Sequence, residues 1–250
     1  MTMIRKTLLI VAALTMLAVP HAWAVRPFIT DDGNILEYRQ VELTTWTQFD
    51  KFSGQLWQTC TMALSRHFEL GAGVVLGYDK TENDRTAFSY TLPLIQGKYL
   101  LHKYEPNKLP GIAIVAGSAL PFGKGAFVPP DYGAFAFMAA TQCIGEEENV
   151  LIHTNAGTTY LYADQENNFD FIWGIGTQIK IYKGLHGVAE VVSGDPYIEG
   201  TGLAYQVGGR YFISDLMQID AACGNGFSGE NKMPFWVTFG VRFVITAFEK

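Results

Sequence analysis

The sequence predicts an all-β protein: a single antiparallel transmembrane β-barrel of about 12 strands that follows a cleaved signal peptide. Three observations support this fold class. The chain opens with an export signal, apolar and polar residues alternate through most of the remainder, and the polar face carries glycines and isolated charges at strand centres. A soluble β-sandwich shares the alternation, whereas the composition of this polar face is typical of a barrel with lipid outside and a polar lumen inside.

The composition excludes several other classes of protein. Of the 250 residues 48% are hydrophobic, and only 17% are charged, against roughly 25% in an average soluble domain. Disorder is therefore excluded. The formal net charge of −6 offers no cationic surface for a phosphate backbone, so we expect no nucleic-acid partner. The one long apolar run, residues 8–20, is too short for a transmembrane helix.

The first residues have the three parts of a secretory signal. Arg5 and Lys6 precede an apolar core at residues 7–19, and an A-x-A cleavage site ends at Ala24. We expect cleavage there and a location in the outer membrane of a Gram-negative bacterium. The predicted regions are a signal peptide (1–24), an N-terminal periplasmic segment (25–36) and a transmembrane β-barrel (37–246).

The mature chain divides into alternating segments separated by clusters of Gly, Pro, Asn and Asp. In the last segment Phe235, Phe239 and Phe243 share one face, with Thr238 and Arg242 on the other. A switch of parity in the fourth segment predicts a bulge near its proline, at position 93. The predicted strands are 37–50, 53–66, 69–79, 88–102, 111–121, 132–144, 149–163, 169–182, 185–194, 201–213, 216–226 and 235–246.

The connections predict the orientation of the barrel. Every second connection is short, with residues 102–110 as an exception, and the others are mostly longer and polar, as in outer-membrane barrels. Both termini should therefore lie in the periplasm, with loops near 79–87, 122–131 and 195–200 outside. The last strand, TFGVRFVI, resembles the C-terminal signal that outer-membrane assembly machinery recognises, so that machinery and the lipid bilayer are expected partners.

Charged residues on the inward face predict a lumenal charge layer. The sign of the charge alternates between neighbouring strands, and the first strand closes against the last. These side chains either brace the barrel interior or form a selectivity filter or gate. The layer consists of Glu42, Lys98, Lys180, Glu190, Arg210, Asp220 and Arg242.

Four further polar residues are candidates for contact with a solute: His153, Asn155, Gln178 and Gln206. We expect no catalytic residues, because no histidine lies at a spacing that suggests a site with a nucleophile. No metal site or cofactor is expected, since the sequence lacks convergent His or Cys ligands. The three cysteines, Cys60, Cys143 and Cys223, are too few and too scattered for a disulfide framework.

Five short motifs stand out along the mature chain: RPFITDDGNILEYRQVEL (26–43), LSRHFELGAG (64–73), SALPFGKG (118–125), AEVVSGD (189–195) and YQVGGRYFISDLMQIDAACGNGFSG (205–229). These motifs resemble segments of the outer-membrane barrels grouped under the MetA pathway of phenol degradation. The resemblance implies a twelve-strand barrel that takes up small, often aromatic compounds.

The predicted function is therefore an outer-membrane channel or transporter for small, partly apolar solutes. A structural or partner-binding barrel without transport is the alternative, and a lipid-modifying outer-membrane enzyme is a third. The N-terminal segment carries Asp31 and Asp32 close to the predicted charge layer. It is expected to fold into the periplasmic mouth of the barrel.

Overall fold

A computed structural model of the protein describes residues 26–80, 86–105, 108–129, 132–145, 149–163, 166–195, 198–229 and 232–247. The predicted signal peptide lies outside these residues and stays a prediction. The described strands are β1 (Gln40–Asp50), β2 (Ser53–Ala63), β3 (Phe68–Lys80), β4 (Thr86–His102), β5 (Gly111–Ala119), β6 (Gly123–Lys124), β7 (Gly133–Ile144), β8 (Val150–Ala163), β9 (Glu166–Tyr182), β10 (Leu185–Asp195), β11 (Ile198–Ser214), β12 (Met217–Gly226) and β13 (Trp236–Thr246).

Twelve long strands close into an antiparallel barrel, which confirms the predicted fold class. β1 pairs with β13, and β3 pairs with β4, so the described sheet has no open edge between its first and last long strands. The two-residue strand β6 pairs with β4 at Tyr90 and Thr91. No helix in the described part of the chain is both long and apolar enough to cross a lipid bilayer.

The long strands match the twelve predicted segments to within a few residues. The first begins at Gln40, three residues later than expected, because Arg39 has a φ of 74°, which an extended strand excludes. The pairing of β3 with β4 shifts between Gly73 and Val75, opposite residues 92–93. This irregularity is the predicted bulge. It changes whether the odd- or the even-numbered residues of β4 face the lumen.

The difference in connection length between the two barrel ends is weaker than expected. β9 and β11 are each 17 residues long, and β11 begins inside the predicted loop at 195–200. Residues 51–52, at the end opposite the start of β1 and the end of β13, form a two-residue turn between β1 and β2. Strands can extend beyond the membrane band because pairing there satisfies backbone N–H and C=O groups, which in a loop would be hydrogen-bonded to water.

The outer wall is apolar and the inner wall is polar. Phe239 on β13 and Phe235 just before it are 56% and 58% exposed, whereas Trp236, Thr238 and Arg242 are buried inside the barrel. The same contrast holds on β9, where Phe169 and Phe171 are exposed. The outward band is the surface that lipid covers in an outer-membrane barrel.

The N-terminal segment lies inside the barrel; that this end of the barrel faces the periplasm stays a prediction. Phe28, Thr30, Asp31 and Asp32 are buried, and side chains of Ile29 and Trp236 pack in one apolar cluster inside the lumen. We call residues 26–36 the plug. The plug enters from the end at which the chain begins β1 and ends β13, which we call the proximal end.

Candidate functional site

Wall side chains hold the plug through its backbone. The Glu190 carboxylate on β10 accepts three hydrogen bonds from the plug: from the backbone N–H groups of Ile29 (2.8 Å) and Thr30 (2.9 Å) and from the Thr30 hydroxyl (2.7 Å). Charge-assisted bonds of this kind are stronger than bonds between neutral groups. Glu190 therefore fixes the middle of the plug to one wall.

Two wall residues hold the next turn of the plug against β7 and β8. The Asn155 amide accepts a hydrogen bond from the Asp31 N–H at 2.7 Å and donates one to the Asp31 carbonyl at 2.9 Å. The Gly33 N–H donates to the Thr141 hydroxyl at 2.8 Å. A Cβ at Gly33 would lie 2.1 Å from the Gly111 carbonyl oxygen. Only glycine lets the plug approach the wall this closely.

Lys98 on β4 binds two plug carboxylates. Its Nζ lies 2.8 Å from Asp31 Oδ1 and 3.3 Å from Asp32 Oδ1, and all three side chains are almost fully buried. Burial raises the pKa of Asp31. The pKa of Asp32 is lowered despite the same burial, because the charge of Lys98 and the Asn34 N–H both stabilise its carboxylate.

Arg26, the first residue of the plug, binds the wall formed by β12 and β13. Its Nη2 donates hydrogen bonds to Asp220 Oδ1 at 3.0 Å and to the Thr238 hydroxyl at 2.7 Å. The guanidinium also lies over the Trp46 ring, 4.9 Å from the ring centroid. The Arg26 carbonyl accepts hydrogen bonds from Arg210 (3.1 Å) and Gln218 (3.0 Å).

The structure places most of the predicted charge-layer residues inside the barrel and pairs them only partly as expected. Arg242 Nε donates to Glu42 Oε2 at 2.6 Å across the β1–β13 seam. Arg210 lies opposite Asp220 in the strand register, yet the Asp220 carboxylate binds Arg26 of the plug. The expected neutralisation between neighbouring wall strands is thus partly replaced by pairing between wall and plug.

Lys180 does not belong to the buried layer. The residue is exposed near the proximal end of β9, and Gln178 is the buried polar residue one inward position further along this strand. A lysine ammonium at the barrel rim remains hydrated, which costs far less than burial. The alternation along β9 identified the side of the strand on which Lys180 lies, but not its distance from the end of the barrel.

The four candidate solute contacts lie on β8, β9 and β11, on the part of the wall that the plug contacts. Gln206 donates a hydrogen bond to the Pro27 carbonyl at 2.6 Å, and Asn155 binds Asp31 as described. His153 is hydrogen-bonded to Thr141 and lies beside Phe28, with ring centroids 5.2 Å apart. Gln178 is buried. With the plug in place, these residues contact the plug or are buried with it.

The open space lies on the other side of the plug, against β1 to β4. A cavity of about 220 Å³ runs between the plug and this wall. Trp46 and Trp57, on neighbouring strands, stack in it with centroids 5.1 Å apart and planes 8° from parallel. Other wall residues that line the cavity are Glu42, Thr44, Gln48, Thr59, Thr61, Glu69, Gly71, Ala72, Gly73, Leu94, Gln96, Lys98 and Phe137.

The predicted charge layer contributes only Glu42 and Lys98 to the wall of this cavity. The signal that could have located it is the small size of the inward residues on β1 to β3, such as Thr44, Thr59 and Gly71, which leave space beside the wall. The described residues contain no cluster of three His, Cys, Asp or Glu side chains that could hold a metal ion.

Two inward glycines of β9 provide the space that the plug occupies. A Cβ at Gly174 would lie 2.7 Å from the Thr30 hydroxyl, and a Cβ at Gly176 would lie 3.1 Å from the Phe28 ring. The glycines that identified the polar face in the sequence thus face plug side chains.

We expect Gly174→Val to displace the plug and to raise single-channel conductance, because the added side chain needs the position of Thr30. The matched control is Gly187→Ala on β10, where the added Cβ meets only the flexible end of Ile181 at 3.3 Å. Planar-bilayer recordings of both variants test this prediction. Equal conductance of the two variants would show that Gly174 does not determine the position of the plug.

The closed barrel, its apolar outer wall and its plugged lumen define the chain as an outer-membrane β-barrel protein. A family model matches residues 12–245. The chain therefore belongs to the family described as "Uncharacterised conserved protein UCP029691". No curated protein matches the sequence.

Solved outer-membrane proteins share the fold. A COG4313 outer-membrane channel from Pseudomonas putida F1 matches with a TM-score of 0.64 at 10% identity, over 86% of this chain and 98% of that one. The KdgM porin, solved with disordered oligogalacturonate, matches with a TM-score of 0.55 at 8% identity, over 81% and 98% of the two chains. The NanC porin matches with a TM-score of 0.52 at 4% identity, over 83% and 100%.

Proposed function

We propose that the protein is an outer-membrane channel for small, partly apolar solutes, and that its pathway follows the cavity between the plug and β1 to β4. The observation that carries this proposal is the cavity itself. It extends from Glu42 and Glu69, near the proximal end, past the Trp46–Trp57 pair to Gln48. The similar folds of solved channels and porins support a transport role.

The size and lining of the cavity favour a solute with one flat ring. Its volume of about 220 Å³ exceeds the roughly 150 Å³ of an engineered cavity that binds benzene. The stacked indoles offer aromatic faces, while threonine hydroxyls on β1 and β2 line the same wall. The resemblance to barrels of phenol degradation agrees with an aromatic solute.

The role of the charge layer follows from its partners. Glu190, Asp220 and Lys98 bind the plug, whereas Glu42 lines the cavity while paired with Arg242. We propose that the first three hold the plug in the lumen and that the Glu42–Arg242 pair borders the pathway.

Liposome swelling tests the channel directly. The wild-type barrel is expected to admit a single-ring solute such as phenol faster than an aliphatic alcohol of similar volume. Trp46→Ala should lower this rate ratio by about two- to tenfold, because aromatic pairs contribute about 0.5–1.5 kcal/mol. Phe239→Ala, on the lipid-facing side, is the matched control and should leave the ratio unchanged.

Two results would contradict the proposal. Absence of any flux through the folded wild-type barrel would favour a structural or partner-binding protein. A rate ratio that Trp46→Ala does not alter would show that the pathway lies elsewhere in the lumen.

A further inference from the structure

The barrel wall supplies three contacts to a guanidinium group. Asp220 on β12 supplies a carboxylate, Thr238 on β13 supplies a hydroxyl, and Trp46 on β1 supplies an aromatic face. These three strands are consecutive around the wall. A charged acceptor, a neutral acceptor and an indole around one planar cation are a favourable arrangement for recognition of guanidinium and amidinium groups.

The wall is shaped for this site independently of the plug. Asp220 lies opposite Gly240 in the register, and a Cβ at Gly240 would lie 2.6 Å from Asp220 Oδ2. The glycine therefore leaves room for the carboxylate to lie along the wall. The Asp220 side chain is fully buried in the plugged barrel, so loss of a cationic partner at this position is costly.

The present occupant, Arg26, competes with a free solute as part of the same chain. The predicted cleavage after Ala24 would leave Arg26 second in the mature chain, on a plug whose covalent connection to the barrel runs through the residues that lead into β1. An intramolecular ligand on such a tether competes with free ligand at an effective concentration in the millimolar range.

The approach to the site also favours cations. The residues that line the cavity include four acids, Asp31, Asp32, Glu42 and Glu69, against two cations, Arg26 and Lys98. A narrow passage lined by an excess of one charge concentrates ions of the opposite sign.

We infer that Trp46, Asp220 and Thr238 form a binding site for flat organic cations of the guanidinium and amidinium class, which Arg26 occupies as an internal competitor. The inference deepens the proposed channel function by naming a class of solute, and it rests on that function for the access of the solute. Such a solute and the plug exclude each other at this site.

Calorimetric titration of the folded full-length barrel in detergent with benzamidine tests the site without measuring transport. Arg26→Gln removes the competing cation and should bind benzamidine at least tenfold more tightly than the wild type. Arg26→Lys keeps a cation at this position and should resemble the wild type. Benzamide, which has a similar shape without the charge, should bind all three proteins equally weakly.

Second substitutions locate the bound probe. Adding Trp46→Ala or Asp220→Asn to Arg26→Gln should lower the affinity for benzamidine at least tenfold, and adding Phe239→Ala should not. Heat-modifiability on gels verifies that each variant is folded. If Asp220→Asn prevents folding, Thr238→Val replaces it, with a smaller loss expected.

Equal affinities of the wild type and Arg26→Gln would overturn the inference, as would tight binding that persists without Trp46. The channel proposal fails separately. If the barrel binds benzamidine but does not conduct, the cation site stands and the channel proposal fails. If the barrel conducts but does not bind benzamidine, the channel proposal stands and the cation site fails.

Discussion

A barrel that lacks residues 26–36 is expected to fold and to conduct ions several-fold better than the wild type. The wall strands pair with one another along their length, and the plug contributes to none of these ladders. Its removal opens the part of the lumen beside β7 to β13, where Glu190, Asn155 and Asp220 now bind plug groups.

The barrel should tolerate this deletion because water replaces the plug. Once the lumen is hydrated, solvent screens the charges of Lys98, Glu190 and Asp220, and loss of a hydrated partner costs about 1 kcal/mol or less. Planar-bilayer recordings give the conductance, and heat-modifiability on gels gives the folded fraction. An unchanged conductance in a fully folded variant would show that the plug does not obstruct the pathway.

Lys98→Met is expected to release the plug from an otherwise intact barrel. The substitution leaves Asp31 and Asp32 buried without the ammonium that they share. Removing one partner of a buried ion pair costs about 3–5 kcal/mol, which corresponds to a factor of a hundred or more in the docking equilibrium. Conductance should therefore approach that of the deletion variant.

Three further variants define the cause of this effect. Lys180→Met removes an exposed lysine that also lies near the proximal end of its strand, and this variant should conduct like the wild type. Combining Lys98→Met with Asp31→Asn and Asp32→Asn should restore part of the docking, because neutral amides are cheaper to bury. Lys98→Met in the deletion variant should add nothing; a further rise in conductance there would mean that Lys98 acts on the pore directly.

The strands and their lipid-facing sides could be predicted because both depend on local periodicity. Phe235, Phe239 and Phe243 lie on one side of any extended chain, and only one side of a barrel strand faces lipid. The bulge near position 93 followed from the same rule, since alternation can change parity only where an extra residue is inserted.

The depth of a charge and the identity of its partner could not be predicted in the same way. Lys180 has the parity of a lumenal residue but lies exposed at the rim. Asp220 was expected between cations of neighbouring strands, and its carboxylate binds Arg26, 194 positions away in the chain. Such pairs depend on strand register and on how far the plug enters, and neither is encoded in spacing along one strand.

The sequence by itself determined a closed, twelve-strand outer-membrane barrel with a polar lumen, because alternation and turn composition depend on residues that are close together in the chain. Only the tertiary structure decided that residues 26–36 fill one side of the lumen and leave a cavity on the other. The physical reason is that an extended segment without apolar periodicity is held by scattered, long-range contacts. Glu190, Asn155, Lys98 and Asp220 converge on it only when the barrel has closed.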